Sequence, residues 1–380
     1  MANRPWLYVS DSKLGTIGID KVTVEQLHAC AETGIPIDLV ARGRLDLRGI
    51  HCHTWSLPPT KLLSWLPSQD YYAFNKRFFS WLACRYLRDH AGVIAWSRTA
   101  LSIFEAAAKR GTPRILNVGG PHCDHDDGIA RRAHRWPRID PGRLRAEYDL
   151  ATCILLPSEF SKQSFIAHGC ARNRLHVIHR GVDLERFHPA ETRQTRPFIV
   201  ASCGILGERK GSYQLLELWR KLALPDAELW LIGHFPHNEK NALEALAISS
   251  VRFLGFRNDL PDLLRRAHVH VLLSRNEGFA KVLLEAAASG VVNVCTPEGG
   301  MPADAAGSLL VADRSDLDAT AAILERLHAN PEEALQLGQA ARAWVETRFG
   351  WEQFRQRVAA IVGEMNSGYA GSGFSNKNIS

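Results

Sequence analysis

The chain has 380 residues, 46% of them hydrophobic and 23% charged, with a net charge of +6; this excludes a disordered or fibrous protein and suits two domains rather than one ordinary core. No uninterrupted apolar run approaches the ~20 residues of a membrane helix, and eight scattered cysteines without a C-x-x-C pair argue against a disulfide framework and for reduced thiols in a cytoplasmic protein. The charge is uneven: residues 1–190 hold 26 Lys+Arg against 18 Asp+Glu, and residues 191–380 hold 20 against 22.

A basic first half points to an anionic partner, a phosphate-bearing acceptor or a lipid surface before nucleic acid, although a solvated surface of mixed charge gives the same count. In chain order, the N-terminus shows no signal-peptide core and opens into a predicted strand at Trp6–Ser10. A helix over Lys21–Thr33 ends at Gly34, and a strand follows at Ile35–Ala41. Gly92–Trp96 and Arg114–Val118 are predicted strands around a helix at Thr99–Arg110, and Ala151–Leu156 is another. Ser158 then caps a helix running to about His168. Short apolar runs alternating with amphipathic helices indicate parallel sheets covered on both faces.

Pro189–Pro197 reads as a linker. A second alternation begins at Phe198, with strands at Glu228–Gly233, Val251–Leu254, Val269–Leu273 and Val291–Cys295. Its helices are expected near Tyr213–Leu222, Asn238–Ala247, Leu260–Arg266, Phe279–Ser289, Asp316–Ala329 and Pro331–Arg348. A last helix, 351–366, is expected to cross back to the first domain, and 367–380 is a Gly/Ser/Asn-rich tail that reads as disordered. The expected domains are therefore 1–190 and 191–350, two doubly wound α/β domains facing across a cleft at the carboxyl ends of their strands.

Glu277 and Glu285 stand eight positions apart around a turn, Gly278-Phe279-Ala280, and the start of an Ala-rich helix. A helix start offers free N–H groups and a positive dipole end to a diphosphate. Carboxylates on either side suit the hydroxyls of a sugar and a ribose. Eight residues of helix rise about 12 Å, roughly the span from the sugar to the ribose of a nucleotide-sugar. The arrangement points to a sugar-transferring enzyme.

With Ala-x-x-Gly290 after Glu285, the chain resembles the retaining GT-B glycosyltransferases of family 4, the group 1 glycosyltransferases. The resemblance also rests on Glu147 to Pro189, including Ser158-Glu-Phe-Ser-Lys and Arg180-Gly181-Val182-Asp183. Further matches are Gly204-Ile-Leu-Gly-Glu-Arg209-Lys210-Gly211, Gly255-Phe256, and Arg342 through Trp351. It implies a GT-B fold and a nucleotide-diphospho-sugar donor. Glu277 would contact the donor sugar, Glu285 the ribose and Lys210 the diphosphate. Gly18 would belong to a glycine loop beside the phosphates. Gly204, Phe256, Gly278, Phe279 and Ala280 would line the donor site, the turn offering backbone N–H groups. His122 would line the reaction centre, with His125 as its rival, and Arg180-Gly181-Val182-Asp183 would shape the hinge.

Four positions depart from the family pattern. Ile17 precedes Gly18 where two adjacent glycines are common. Ile205 stands where an arginine is usual, leaving Arg209 as the second cation. Ala280 stands where a second glycine is common, which would be strained if φ were positive there. Ala303 follows Pro302 where a glutamate is typical.

No cofactor is expected beyond the co-substrate. The cluster His122, Asp124, His125, Asp126, Asp127, with His51 and His53 as partners, would suit zinc or manganese, but a surface loop explains it better and no metal is expected. The aromatic and basic segment 55–90 suits an acceptor wall or an interfacial helix, or a helix packed on the first sheet. The expected partners are a UDP- or GDP-sugar and a saccharide or lipid-linked acceptor, with peripheral contact at the cytoplasmic membrane face and no nucleic acid. An epimerase on the same fold and a non-catalytic nucleotide-sugar-binding protein are the competing functions.

Overall fold

A computed structural model describes residues 4–15, 18–54, 68–125, 140–236 and 239–368. The first sheet has seven strands: β1 (Trp6–Val9), β2 (Ile37–Ala41), β3 (Ile50–Thr54), β4 (Gly92–Trp96), β5 (Arg114–Asn117), β6 (Cys153–Leu156) and β7 (Leu175–Val177). The second has six: β8 (Phe198–Ile205), β9 (Ala227–His234), β10 (Val251–Gly255), β11 (Val269–Leu272), β12 (Val292–Cys295) and β13 (Ser308–Leu310). Their orders are β3-β2-β1-β4-β5-β6-β7 and β10-β9-β8-β11-β12-β13, and the pairings are parallel. In each sheet the winding reverses beside the first strand. A crevice therefore opens at the carboxyl ends of β1 and β4, and another at those of β8 and β11.

The strands are apolar because both faces are covered. β1 is buried at all four positions and β8 at its first six. In the second domain Leu215, Leu218, Trp219 and Leu324 cover one face of the sheet, and Leu283, Ala287, Ala341 and Val345 belong to the core on the other.

Two polar devices set the boundaries. Glu147 is buried and accepts from the N–H groups of Arg98, Ala100 and Leu101 at 2.7, 3.0 and 3.1 Å. It thereby caps the helix Leu101–Ala108, whose own first residues supply no side-chain cap. Burial pushes its carboxyl up to about 7, against the pull of those N–H groups. In the linker, Arg193 donates to the carbonyls of Arg265, Ser289 and Gly290 at 2.8–2.9 Å, so that segment is anchored to the second domain.

The helix Trp351–Gly368 lies on the first domain. Phe354, Val358, Ile361, Val362 and Met365 recur at helical spacing and are buried in one cluster with Trp6, Tyr8, Val22 and Leu27. Burial of each contributes about 2 kcal/mol. Arg355 pairs with Glu25 and Glu32 at 2.8 and 3.0 Å at the edge of this contact. Among the described residues, no helix is long and apolar enough to cross a membrane.

Candidate active site

Gly204, one residue before the end of β8, has φ +128°, and a side chain there would press on Lys210: an added Cβ would lie 3.2 Å from Lys210 Cε. The missing side chain lets the lysine stem cross the strand end. Lys210 Nζ reaches Glu277 Oε1 at 3.0 Å, and Arg209 Nη1 reaches the same oxygen at 2.5 Å. The Ser274 hydroxyl donates to it at 3.3 Å. Arg209 and Lys210, adjacent in sequence, therefore converge because the short 3-10 turn Glu208–Lys210 folds back toward the residues after β11. The Arg275 N–H to Arg209 carbonyl bond, 3.0 Å, ties the two loops together. Burial pushes the Glu277 carboxyl up, but Lys210 and then Arg209 outweigh it and hold the group below its ordinary value. Glu277 is thus an anion gripped by two cations at the reversal point of the second sheet.

The turn after Glu277 departs from expectation. The helix begins at Lys281, not Phe279, so the eight-residue interval is not one helical segment. Glu277 and Ala280 give their N–H groups to the carbonyls of Glu298 and Gly299 at 3.0 and 2.9 Å, so Ala280 does not offer its amide to a ligand. Phe279 is 3% exposed and packs its ring 5.7 Å from His179. Ala280 has φ −75°, an ordinary value, which removes the strain expected of a non-glycine residue here. Glu285 is buried inside the helix and pairs with Lys281 at 2.8 Å.

The first domain meets this turn directly. An added Cβ on Gly278 would lie 2.0 Å from the Gly119 carbonyl oxygen and 2.8 Å from Gly120 Cα. The Ser158 and Ser161 hydroxyls donate to the Gly278 carbonyl at 2.6 and 3.3 Å. These contacts were not legible in the sequence, although Ser158 was visible as a helix cap. Gly18 starts the helix Gly18–Glu32 with φ +60°. The next residue, Ile19, places Cδ1 3.9 Å from where a Gly119 side chain would begin. Thr16 and Ile17 of the expected glycine loop lie outside the described residues.

His122 is placed differently from the sequence expectation. Its ring is buried in the first domain, stacked on His168 at 4.4 Å and packed on Tyr148 and Phe165 at 5.0 Å. Ser164 Oγ holds its backbone N–H at 2.8 Å. The residues that reach the crevice are Gly119 and Gly120, just before it. His125 is exposed and edges onto Phe160.

Burial, followed by His168, holds the His122 imidazole down at about 4, against the opposing pull of Asp124. A depressed histidine contributes stability above its unfolded value of 6.5, and this is lost as pH falls toward about 4. His179, His268 and His270 are held at about 4 as well, mainly by burial. The melting temperature is therefore expected to drop between pH 6.5 and 4, with a shallower drop in His122→Phe. Parallel melting series on the two proteins check this; identical slopes would refute it.

Phe256 is 63% exposed and stacks on His234 at 4.9 Å, with the rings 10° from parallel. His234 ends β9, the neighbour of β8, and Phe256 follows β10, the next strand out, so the pair offers a flat aromatic face at the rim of the second crevice. Ile205 is 40% exposed and brings no charge. His51 and His53 lie on β3 beside Asp38, apart from His122, Cys123 and Asp124; each trio has ligand atoms within 4.8 Å of one another. Asp126 and Asp127 lie outside the described residues.

Two family models match in tandem: Glycosyltransferase Family 4 over residues 17–186 and Glycosyl transferases group 1 over residues 183–344. One relative is a GDP-mannose-dependent monoacylated alpha-(1-6)-phosphatidylinositol monomannoside mannosyltransferase of Corynebacterium glutamicum. It is 28% identical over 244 residues, 58% of this chain and 63% of that protein. Another is an MMP alpha-(1->4)-mannosyltransferase of Mycolicibacterium hassiacum, 30% identical over 67% of this chain and 66% of that protein. The matches thus span slightly less than two thirds of each relative's length. Among solved structures, sucrose-phosphate synthase from Thermosynechococcus elongatus superposes with a TM-score of 0.71 at 18% identity, over 96% of this chain and 99% of that one. Anabaena HepE in complex with UDP and glucose gives 0.69 at 17%, over 95% and 99%. Two parallel-sheet domains meeting at Gly278, with the tandem match over residues 17–344, place this chain in the group 1, family 4 glycosyltransferases of GT-B fold.

Proposed function

We propose that this chain is a retaining glycosyltransferase that moves a sugar from a nucleotide-diphospho-sugar to an acceptor hydroxyl. The observation that carries the reading is the convergence of Arg209 and Lys210 on Glu277, at a strand end facing Gly119 and Gly120. In this reading the two cations lie against the donor diphosphate and offset the negative charge that grows on it as the glycosidic bond breaks. Glu277 orients the donor sugar, Glu285 accepts from the ribose, and the exposed face of Phe256 takes the base. The departing phosphate accepts the proton of the incoming hydroxyl on the same face of the sugar, which retains the anomeric configuration. Two protein cations supply the charge here, so the step calls for no metal.

The GDP-mannose dependence of the Corynebacterium relative makes GDP-mannose the first donor to try, with UDP-sugars next. A lipid-linked acceptor is supported by the helix Ser68–Ala83. Phe74 and Trp81 are 46% and 51% exposed, and with Arg77 and Arg85 they form an outward aromatic and basic row suited to a membrane interface.

A thermal-shift screen of GDP-, UDP- and ADP-sugars, followed by turnover assays on any donor that stabilises, tests the reading. Glu285→Ala is expected to weaken nucleotide binding about 10-fold, the loss of a charge-assisted hydrogen bond. Stabilisation by none of these donors would refute the assignment. Conversion of donor alone to an epimer would replace transfer with isomerisation.

A further inference from the structure

Arg180 leaves the first domain just after β7 and points toward the crevice. Its backbone is held on both sides. The Ile178 N–H bonds to the Leu156 carbonyl and the Val182 N–H to the Phe349 carbonyl, both at 2.8 Å. Between them, Gly181 lies so close to Trp351 that an added Cβ would sit 2.7 Å from the indole ring. A fixed backbone thus presents the guanidinium.

Among the described residues Arg180 makes no hydrogen bond or ion pair. It lines a cavity with Gln26, Asn117, Pro157, Ile178 and Phe354. Its Nη2 is 3.9 Å from where a Gly119 side chain would begin, beside the contact between the domains. Glu277 attracts it through space while burial disfavours its charge, but Glu277 Oε1 is already taken by Arg209 and Lys210. Among the described residues, Arg180 therefore shares with Arg209 and Lys210 a carboxylate that, of the three, only those two contact. An enclosed, unpaired guanidinium is unfavourable, and its planar fork of donors fits a phosphate in bidentate fashion.

We propose that Arg180 is a phosphate-binding residue, delivered to the crevice from the side opposite Arg209 and Lys210. This deepens the proposed function and rests on it for the identity of the site. The phosphate has two sources, the diphosphate of the donor or a phosphate ester on the acceptor. In either case Arg180 supplies a cation that Ile205 does not.

The test uses the full chain and Arg180→Gln. UDP and GDP are titrated into each protein by calorimetry, and inorganic phosphate is then titrated into nucleotide-saturated protein. A 10- to 100-fold loss of nucleoside diphosphate affinity in the variant supports the proposal with the donor as the source. Unchanged nucleotide affinity with at least a 10-fold loss of inorganic phosphate binding supports it with the acceptor as the source. No change in either arm overturns it.

Gly119→Asp provides a second route, because the added Cβ meets nothing closer than 3.9 Å and its carboxylate would reach Arg180. It should reproduce the loss seen in Arg180→Gln; undiminished binding in both arms counts against the proposal. If Arg180→Gln does not fold, Arg180→Lys takes its place, with a partial loss expected because the charge stays and the fork goes. If neither nucleotide binds the wild type, the transferase reading fails. Inorganic phosphate titrated into the free wild-type and variant proteins then still judges Arg180.

Discussion

Glu277→Gln is expected to lower turnover about 100- to 1,000-fold while leaving nucleoside diphosphate binding as tight as in the wild type, or tighter. The substitution keeps the shape and removes the charge. In the native chain that charge holds Arg209 at 2.5 Å and Lys210 at 3.0 Å, all three groups being largely shielded from water. Without it the two cations gain free charge for a diphosphate, which favours ground-state binding. They lose the partner that sets their position and the acceptor that orients the donor sugar. Removal of one preorganised electrostatic group commonly costs 10²–10³ in turnover. Removing one partner from a buried ion pair also destabilises, by about 3–5 kcal/mol, so the folded fraction must be checked by melting. Steady-state kinetics beside calorimetry with UDP and GDP separate the two effects. Turnover within threefold of wild type would remove Glu277 from the mechanism.

Gly278→Ala should be nearly as damaging for a different reason. The new methyl would stand 2.0 Å from the Gly119 carbonyl oxygen, far inside the roughly 3.5 Å of ordinary contact. The backbone of Gly278 is not in the left-handed region, so alanine meets no local strain and the clash is confined to the face between the domains. The domains must then part, and the Ser158 bond to the Gly278 carbonyl, 2.6 Å, is broken or stretched. A displacement of about 1 Å at a reacting centre can cost 10²-fold, so kcat/KM is expected to fall at least 100-fold with little change in melting temperature. Small-angle scattering should show a larger radius of gyration. Wild-type activity at an unchanged radius would mean that this contact is not part of the working enzyme.

Much of the fold was legible because it depends on local pattern. Apolar runs such as Trp6–Val9 and Phe198–Cys203 read as strands covered on two faces, and they are. β3, β7 and β13 escaped because edge strands are short and only partly buried. β3 reads Ile-His-Cys-His-Thr, with no buried position to impose an alternation. The start of the helix at Lys281 was misplaced by two residues, since Phe279 and Ala280 are apolar and buried whether helical or not.

Within the candidate site, the residue types and their order are sequence properties: a lysine after a strand with a glycine near its end, a glutamate before a helix, a second glutamate within it. What only the tertiary structure decided is which of them meet. Arg209 and Lys210 converge because one tight turn folds against the loop after β11. His122 turns inward because Tyr148, Phe165 and His168 enclose its ring, and Gly119 and Gly120 reach the crevice instead. Arg180 faces an empty space because the segments on either side of it are tied to different partners. Local pattern records the preference of each residue for helix, strand or turn. The direction in which a side chain points depends on neighbours a hundred residues away, and those are supplied only when the two sheets pack.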